Sequence, residues 1–264
     1  MLKVENLHLA FGHGTVNEKH VLNGINLELT EGEFVTIIGS NGAGKSTMLN
    51  CIAGDYIPDS GKVYIDGQDV TKFPNYKRAM LVGRVFQDPL KGTAFDMTIE
   101  ENMALAFMKG KSKNLKKCIA AKDTEYFKEQ LKQLDLGLED RLKQKVRFLS
   151  GGQRQAMTTL MAVMVSPKLL LLDEHTAALD PAIAATVLKL TNDLVKKYNL
   201  STLMVTHNMK HALEFGTRTI MMDKGRIILD IKGEERAGMT KQKLIELFTQ
   251  KSGSEFVTDS VLLG

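Results

Sequence analysis

Residues 34–47 read FVTIIGSNGAGKST, and the fold is decided there. Phe34-Val35-Thr36-Ile37-Ile38 is a short run rich in β-branched residues, which fits a strand buried on both faces. It ends in a glycine-rich turn, Gly39-Ser40-Asn41-Gly42-Ala43-Gly44, followed by Lys45, Ser46 and Thr47. Downstream, Met48, Leu49, Ile52 and Ala53 fall at helical spacing, and Gly54 is placed to close that helix. Strand, glycine loop and helix in this order are the context in which the GxxxxGK[ST] pattern holds phosphate. The glycines let the backbone curl until its N–H groups converge on phosphate oxygens, and the helix adds the positive end of its dipole. Lys45 is expected to contact β- and γ-phosphates and Ser46 to ligate Mg²⁺. A plain glycine-rich turn with a surface lysine would leave both flanks unexplained.

Two further strings carry related chemistry. Leu169-Leu170-Leu171-Leu172-Asp173-Glu174 is an apolar strand ending in two acids, which sets Asp173 at the carboxyl end of a sheet, where ligands bind in open α/β folds. Asp173 is expected to hold Mg²⁺ directly or through water, and Glu174 to polarise an attacking water. Alone, such a strand could simply exit into solvent; the glycine loop upstream tips the reading toward a site. In Leu149-Ser150-Gly151-Gly152-Gln153, Ser150 is a good N-cap, and two glycines leave helix N-terminal N–H groups uncovered as a second anion site. A glycine-containing helix start is the plainer account. Glycine costs helix stability, however, and close approach to a ligand gives two of them a reason.

Around these strings the periodicity alternates between strand and helix. Leu7, Leu9 and Phe11 alternate, and 21–29 reads as a second strand. Between Pro89 and Pro167 the character turns helical, with helices predicted over 99–108, 123–134 and 150–165 and the basic stretch KGKSKNLKK at 109–117 between the first two. A strand at 202–206 and a short helix from Asn208 follow a helix face marked by Ile183, Val187, Leu190 and Leu194. Runs at 219–222 and 226–231, joined by Asp223-Lys224-Gly225, predict a hairpin, and 240–248 a capped helix. Fully apolar strands alternating with helices argue for a largely parallel sheet with both faces covered.

Composition fits a folded globular body: 43% hydrophobic and 25% charged residues among 264. Lys plus Arg number 35 against 31 Asp plus Glu, a mild excess that suits an anionic ligand or surface without demanding one. Cys51 and Cys118 lack metal or redox spacing and read as reduced thiols. No apolar run approaches the 18 or so residues of a membrane span, and MLKVENLHLAFG alternates like a strand instead of reading as a signal peptide. Any membrane role is expected to pass through a partner.

GSNGAGKST, LSGGQ, LLLLDEHT and a lone His207 after an apolar strand resemble the nucleotide-binding subunits of ABC transporters, over nearly the whole chain from Leu2 to about Phe248. The resemblance implies an α/β fold: a P-loop NTPase core of the ABC ATPase type, with a mixed, largely parallel sheet, an antiparallel β subdomain and an inserted helical subdomain. Residues 1–86 and 167–248 would form the ATP-binding core, 87–166 the helical signature subdomain and 249–264 a tail. It also implies that Gly39, Ser40, Asn41, Gly42, Ala43, Gly44, Lys45, Ser46 and Thr47 of one copy face Ser150, Gly151, Gly152 and Gln153 of another. Two ATP molecules with Mg²⁺ would then be sandwiched head to tail.

The same resemblance implies roles for single residues. Phe11 falls where an aromatic ring stacks on adenine, an inward-facing core phenylalanine being the alternative. Gln87 matches a glutamine that reaches metal and attacking water, and Asp180 an acidic loop crossing the dimer interface, compatible with a simple helix N-cap. His207 matches a histidine that contacts the γ-phosphate. The implied catalytic set is Lys45, Gln87, Glu174 and His207; the implied metal set is Ser46, Gln87 and Asp173. His175 stands where most of the family has another residue and is given no catalytic role.

GRVFQDPLKGTAFDMTIEENMALA, DEHTAALDP and MVTHNMKHAL are most similar to ATPase subunits of bacterial amino-acid importers, particularly a group linked to tryptophan- or tyrosine-type substrates and an extracytoplasmic binding lipoprotein. The implied partners are a second copy, transmembrane permease subunits and, indirectly, an extracytoplasmic substrate-binding protein, with no nucleic acid. The implied location is the cytoplasmic face of the membrane. An exporter ATPase is an alternative, as is a soluble ABC ATPase acting on ribosomes or DNA, although those usually carry two nucleotide units or long coiled-coil insertions. A phosphate-loop kinase would leave LSGGQ and Asp180 unused. The stripe Met157, Met161, Met164 reads as adaptable packing, and the basic stretch as a solvated loop, contact with anionic lipid being its alternative.

Overall fold

Alternation of buried and exposed side chains sorts the strands into two sheets in the computed structural model, which describes residues 1–88, 90–110 and 119–252. β1 (Leu2–Phe11) and β2 (Lys19–Leu29) pair antiparallel and bury Leu7, Leu9, Leu22, Ile25 and Leu27 on a common face. β3 (Phe34–Gly39) is buried throughout, whereas β4 (Ser60–Ile65) and β5 (Gln68–Asp69) join the first sheet in the order β2-β1-β4-β5. The second sheet adds β6 (Val82–Val85), β7 (Leu169–Asp173), β8 (Ser201–Val205), β9 (Arg218–Asp223) and β10 (Arg226–Lys232) in the order β10-β9-β3-β8-β7-β6. Its pairings are parallel except the β9–β10 hairpin. There Lys224 (φ 45) and Gly225 (φ 76) take the positive angles a tight turn requires.

The parallel strands are continuous in apolar residues because both faces are covered. Leu169 and Leu171 of β7 pack with α1 (Lys45–Ala53) and the first sheet, in a core that includes Met48, Leu49 and Ile52. Leu170 and Leu172 face the opposite side, where a second core holds residues of three helices of the middle segment. α2 (Asn75–Arg78) is a short turn; α3 (Ile99–Phe107), α4 (Ala121–Lys132) and α5 (Gly151–Val163) are those three helices. A capping box of Thr98 with Glu101 starts α3, and one of Ser150 with Gln153 starts α5. The methionine stripe is packing: Met157 and Met164 are buried and Met161 lies against the same core.

α6 (Pro181–Lys197) starts at Asp180, and α7 (Met209–Glu214) at Asn208, each with a side-chain cap. α8 (Gly233–Ala237) and α9 (Lys241–Ser252) close the described chain, with Leu244 and Phe248 buried in a third core. The helix face on α6 is shifted from expectation, since Ile183 is left exposed and Ala184, Leu188 and Thr191 are buried beside Val187 and Leu194. The strands β4 to β6 and the helices α2 and α8 carry too little periodicity to be read beforehand. Of the basic stretch, 111–117 lie outside the described residues, as do Cys118 and the tail from 253. Lys109 does not join a solvated loop: its Nζ donates to the Val82 carbonyl at 3.2 Å, and burial lowers its pKa. Cys51 is buried, which pushes its thiol up to about 12.

Arg78 ties the end of α1 to its surroundings. Its side chain is fully buried, and its guanidinium donates to the carbonyls of Cys51 and Ile52 in the last turn of α1 and to that of Thr71. A cation at a helix C-terminus complements the negative end of the dipole and satisfies carbonyls that the helix cannot. Arg78→Met keeps the bulk and removes the donors. It is expected to destabilise the fold by about 3 kcal/mol and lower the melting temperature by about 6 to 12 °C in calorimetry.

Candidate functional site

The glycine loop between β3 and α1 is shaped by backbone angles that only glycine takes readily. Gly42 has φ 80 and Gly44 φ 94, and a Cβ on Gly44 would lie 2.8 Å from the Val21 carbonyl oxygen. The loop wraps Lys45, whose side chain is 5% exposed and whose Nζ donates to the carbonyls of Gly39 at 2.8 Å and Ser40 at 2.9 Å. Burial lowers the Lys45 pKa, and the nearby carboxylates of Glu174 and Asp173 oppose that shift. Ser46 Oγ donates to Asp173 Oδ1 at 2.9 Å. Burial raises the Asp173 carboxyl against the Ser46 bond and the Arg84 guanidinium.

A cavity of about 630 Å³ opens over this loop. Phe11 from β1, Lys45 and Ser46 from α1, Gln87 after β6, Glu174 after β7 and His207 after β8 all line it, together with Asn41, Gly42, Ala43, Gly44 and Thr47. Phe11 is 41% exposed and stands edge-on to Tyr56 with ring centroids 5.3 Å apart, so the core alternative does not hold. Glu174 sits at φ 47, an angle that costs a non-glycine residue of order 1–3 kcal/mol. Its Oε1 lies 2.5 Å from His207 Nε2. Two acids in a row thus diverge as expected: Asp173 turns to Ser46 and an adjoining cleft of about 540 Å³, Glu174 to His207.

The remaining candidates gather elsewhere. Ser150, Gly152 and Gln153 border a separate, mainly apolar cavity of about 240 Å³ between α5 and α6. A Cβ on Gly152 would collide with the Ile183 side chain, so the packing of α6 is one reason for that glycine. Gln153 Oε1 accepts from the Ser150 backbone N–H at 3.1 Å, turning its amide back to cap the helix. Asp180 Oδ1 accepts from the N–H groups of Ala182 and Ile183, both at 3.2 Å. The structure therefore brings Phe11, loop residues 41–47, Gln87, Glu174 and His207 together, sets Asp173 in the adjoining cleft, and leaves Gly39, Ser40, Ser150, Gly151, Gly152, Gln153 and Asp180 outside that cavity's lining.

Three residues in or beside the site had no sequence signal. Arg84 donates to Asp55 and Asn50, stacks at 4.5 Å over the Phe86 ring and lies 3.8 Å from Asp173 Oδ2. Lys19 and Val21 line the main cavity from β2. A surface-type lysine and a strand valine have nothing local to mark them.

Among the described residues, no three His, Cys, Asp or Glu side chains gather as a metal cage. The Ser46 hydroxyl and Asp173 carboxylate instead offer two oxygens beside a phosphate-sized loop. That donor set fits Mg²⁺, which keeps water and phosphate oxygens among its ligands.

Residues 22–177 match the family described as ABC transporter. The chain belongs to this family. It is 46% identical over 248 residues to the "Tyrosine transport ATP-binding protein" of Clostridioides difficile (strain R20291), covering 94% of this chain and 98% of that protein. It is 36% identical over 235 residues to the "Energy-coupling factor transporter ATP-binding protein EcfA2" of Clostridium tetani, covering 87% and 78%. Among solved structures, the ATP-binding cassette MJ0796, a dimer in a post-hydrolysis state bound to ADP and Pi, is similar at a TM-score of 0.75 and 30% identity, covering 88% of this chain and 98% of that one. The ADP conformation of the cassette MJ1267 is similar at 0.76 and 27%, covering 94% and 98%. The mixed sheet, antiparallel sheet and helices are those of an ABC ATPase, and the chain is an ATP-hydrolysing subunit of this kind. No helix among the described residues is long and apolar enough to cross a membrane.

His175, immediately after Glu174 in this ABC ATPase, is 2% exposed and shares a hydrogen bond of 3.3 Å with Thr191 Oγ1 on α6. Burial, reinforced by His211, lowers its pKa from 6.5 to about 4. The unfolded chain therefore takes up a proton near pH 6.5 that the folded chain refuses until about pH 4. Stability is complete above 6.5 and falls as the pH drops, by about 2 kcal/mol at pH 5 from this group. In denaturant titrations, the loss of unfolding free energy between pH 7 and pH 5 is expected to be about 2 kcal/mol smaller for His175→Gln than for the wild type. Equal losses would mean that His175 is not held neutral.

Proposed function

We propose that this ABC ATPase binds Mg-ATP between two copies of itself and drives a separate membrane permease, as the ATPase of an amino-acid importer of the tyrosine or tryptophan type. The observation that carries the reading is a separation within one chain. Lys45, Ser46, Gln87, Glu174 and His207 share one cavity, whereas Ser150 and Gly152 border another. A phosphate-binding loop and a second anion-type helix start that do not meet locally are accounted for if each serves a different copy's nucleotide. The dimeric state of the solved MJ0796 cassette supports a dimer, and the name of the Clostridioides difficile relative supports the cargo class.

In this reading Phe11 stacks on the adenine, and Lys45 and the loop N–H groups hold the phosphates, a role for which a buried, already desolvated ammonium is suited. Ser46, Asp173 and Gln87 would hold Mg²⁺, which when bound would neutralise phosphate charge. Glu174 orients the attacking water and takes its proton at the carboxylate, while His207, 2.5 Å away, fixes that carboxylate. Ser150, Gly151, Gly152 and Gln153 close over the nucleotide of the other copy, and Asp180 meets that copy across the interface. Residues 87–166 then move as a unit against 1–86 and 167–248 and pull on the permease at the cytoplasmic face of the membrane. An extracytoplasmic binding protein delivers the amino acid.

Glu174→Gln is expected to lower ATP turnover by at least about a hundredfold and to trap an ATP-dependent dimer in size-exclusion chromatography. Retained turnover with no trapped dimer would sink the assignment. Purification from membranes is expected to recover a permease and a binding protein whose melting temperature rises with tyrosine or tryptophan. Recovery of ribosomes or DNA in their place would refute the importer.

A further inference from the structure

Helix α5 buries polar residues that the site described above does not use, and Gln155 is the one that reaches toward that site. Gln155 is 1% exposed, on a helix that also buries Ala156, Met157 and Leu160 beside the polar Arg154, Thr158 and Thr159. An amide in such a place costs free energy unless it is hydrogen-bonded, and an apolar side chain would pack there without that cost. Gln155 Nε2 donates to the Phe86 carbonyl at 3.2 Å, the peptide group that joins Phe86 to Gln87. Its Oε1 is buried without a donor among the described residues, so this one bond is what the side chain makes.

The Phe86 ring has a partner of its own. The Arg84 guanidinium lies 4.5 Å from the Phe86 ring centroid and 3.8 Å from Asp173 Oδ2. Gln87 is next in the chain and borders both the main cavity and the adjoining cleft. Ser150 caps the same α5 five residues before Gln155, about 7.5 Å along the axis at the usual rise. A helix is stiff over that length, so a displacement of its N-terminus is carried to the Phe86 carbonyl.

We propose that Gln155 is a positioning residue that couples the two nucleotide sites. Capture of the second copy's nucleotide at Ser150 shifts α5, and the Gln155–Phe86 bond passes the shift to Gln87 in the chain's own cavity. The inference rests on the dimer reading above, and its consequence is cooperativity in ATP, since each copy then reports its signature end to its own site.

The test uses the full chain and ATP itself. Gln155→Met keeps length and removes the donor; Gln155→Glu keeps shape and sets an acceptor against the carbonyl. Turnover against ATP concentration is expected to give a Hill coefficient clearly above 1 for the wild type and near 1 for both variants, with turnover down about tenfold and half-saturation within about twofold. In a Glu174→Gln background, each variant is expected still to form the ATP-dependent dimer. An unchanged Hill coefficient in the variants, or a coefficient of 1 in the wild type, overturns the proposal. So does a fall in melting temperature that accounts for the lost turnover in both variants, which would make Gln155 a packing residue. Failure of Glu174→Gln alone to dimerise refutes the dimer reading and this coupling with it. A dimer that forms without any effect of Gln155 refutes the coupling only.

Discussion

An ammonium group removed from water must be solvated by something else, and the loop around Lys45 is built on that constraint. With the side chain 5% exposed, the carbonyls of Gly39 and Ser40 take the place of water at 2.8 and 2.9 Å. Holding two carbonyls on one cation forces the chain into a tight curl, and the curl requires positive angles at Gly42 and Gly44. The same curl is closed by the Ala43 N–H, which donates to the Ser40 carbonyl at 3.2 Å. One buried charge thus holds the loop in its shape.

The parallel sheet turns that local arrangement into a site. β3, β8 and β7 lie side by side in register, with Ile37 opposite Val205 and Val205 opposite Asp173. Their carboxyl ends therefore release the glycine loop, His207 and the Asp173–Glu174 pair at one edge. Parallel strands demand apolar residues on both faces, which is why LLLLD can place an acid only at its end. The strain at Glu174 follows from the same geometry: its backbone N–H is held by the Val205 carbonyl at 3.1 Å while its side chain turns back to His207.

How much of this was legible depended on whether the signal was local. FVTIIGSNGAGKST and LLLLDEHT carry strand, turn and ligand groups within a few residues, so the loop, Asp173 and Glu174 were readable from spacing. Phe11, Gln87 and His207 were readable only through family resemblance, because an aromatic at a strand end, a glutamine or a lone histidine has many ordinary uses. Arg78, Arg84 and Gln155 were not readable at all. Their importance comes from carbonyls and rings that approach from distant parts of the chain, and a polar residue in a helix or strand is by itself taken for a surface one. β4 and β5 were missed for a related reason, since SGKVYI and QD are short and half exposed and are defined by pairing with each other and with β1.

The glycines of LSGGQ show how a packing need and a ligand-binding need can select the same residue. Gly152 lies where any Cβ would meet Ile183 of α6, and Gly151 where a Cβ would be 3.2 Å from Leu179 Cδ2. Close packing of α5 on α6 thus favours glycine at Gly152 whether or not an anion approaches. Gly151 and Gly152 carry no side chain over their own N–H groups, whereas the Gln153 N–H is already taken by Ser150 Oγ at 3.2 Å. Asp180 caps α6 and Ser150 caps α5, and the Ile183 side chain fills the space beside Gly152, so the two helix starts pack closely. Ser150, Gly151, Gly152 and Asp180 therefore lie near one another although thirty residues of sequence separate the two helix starts.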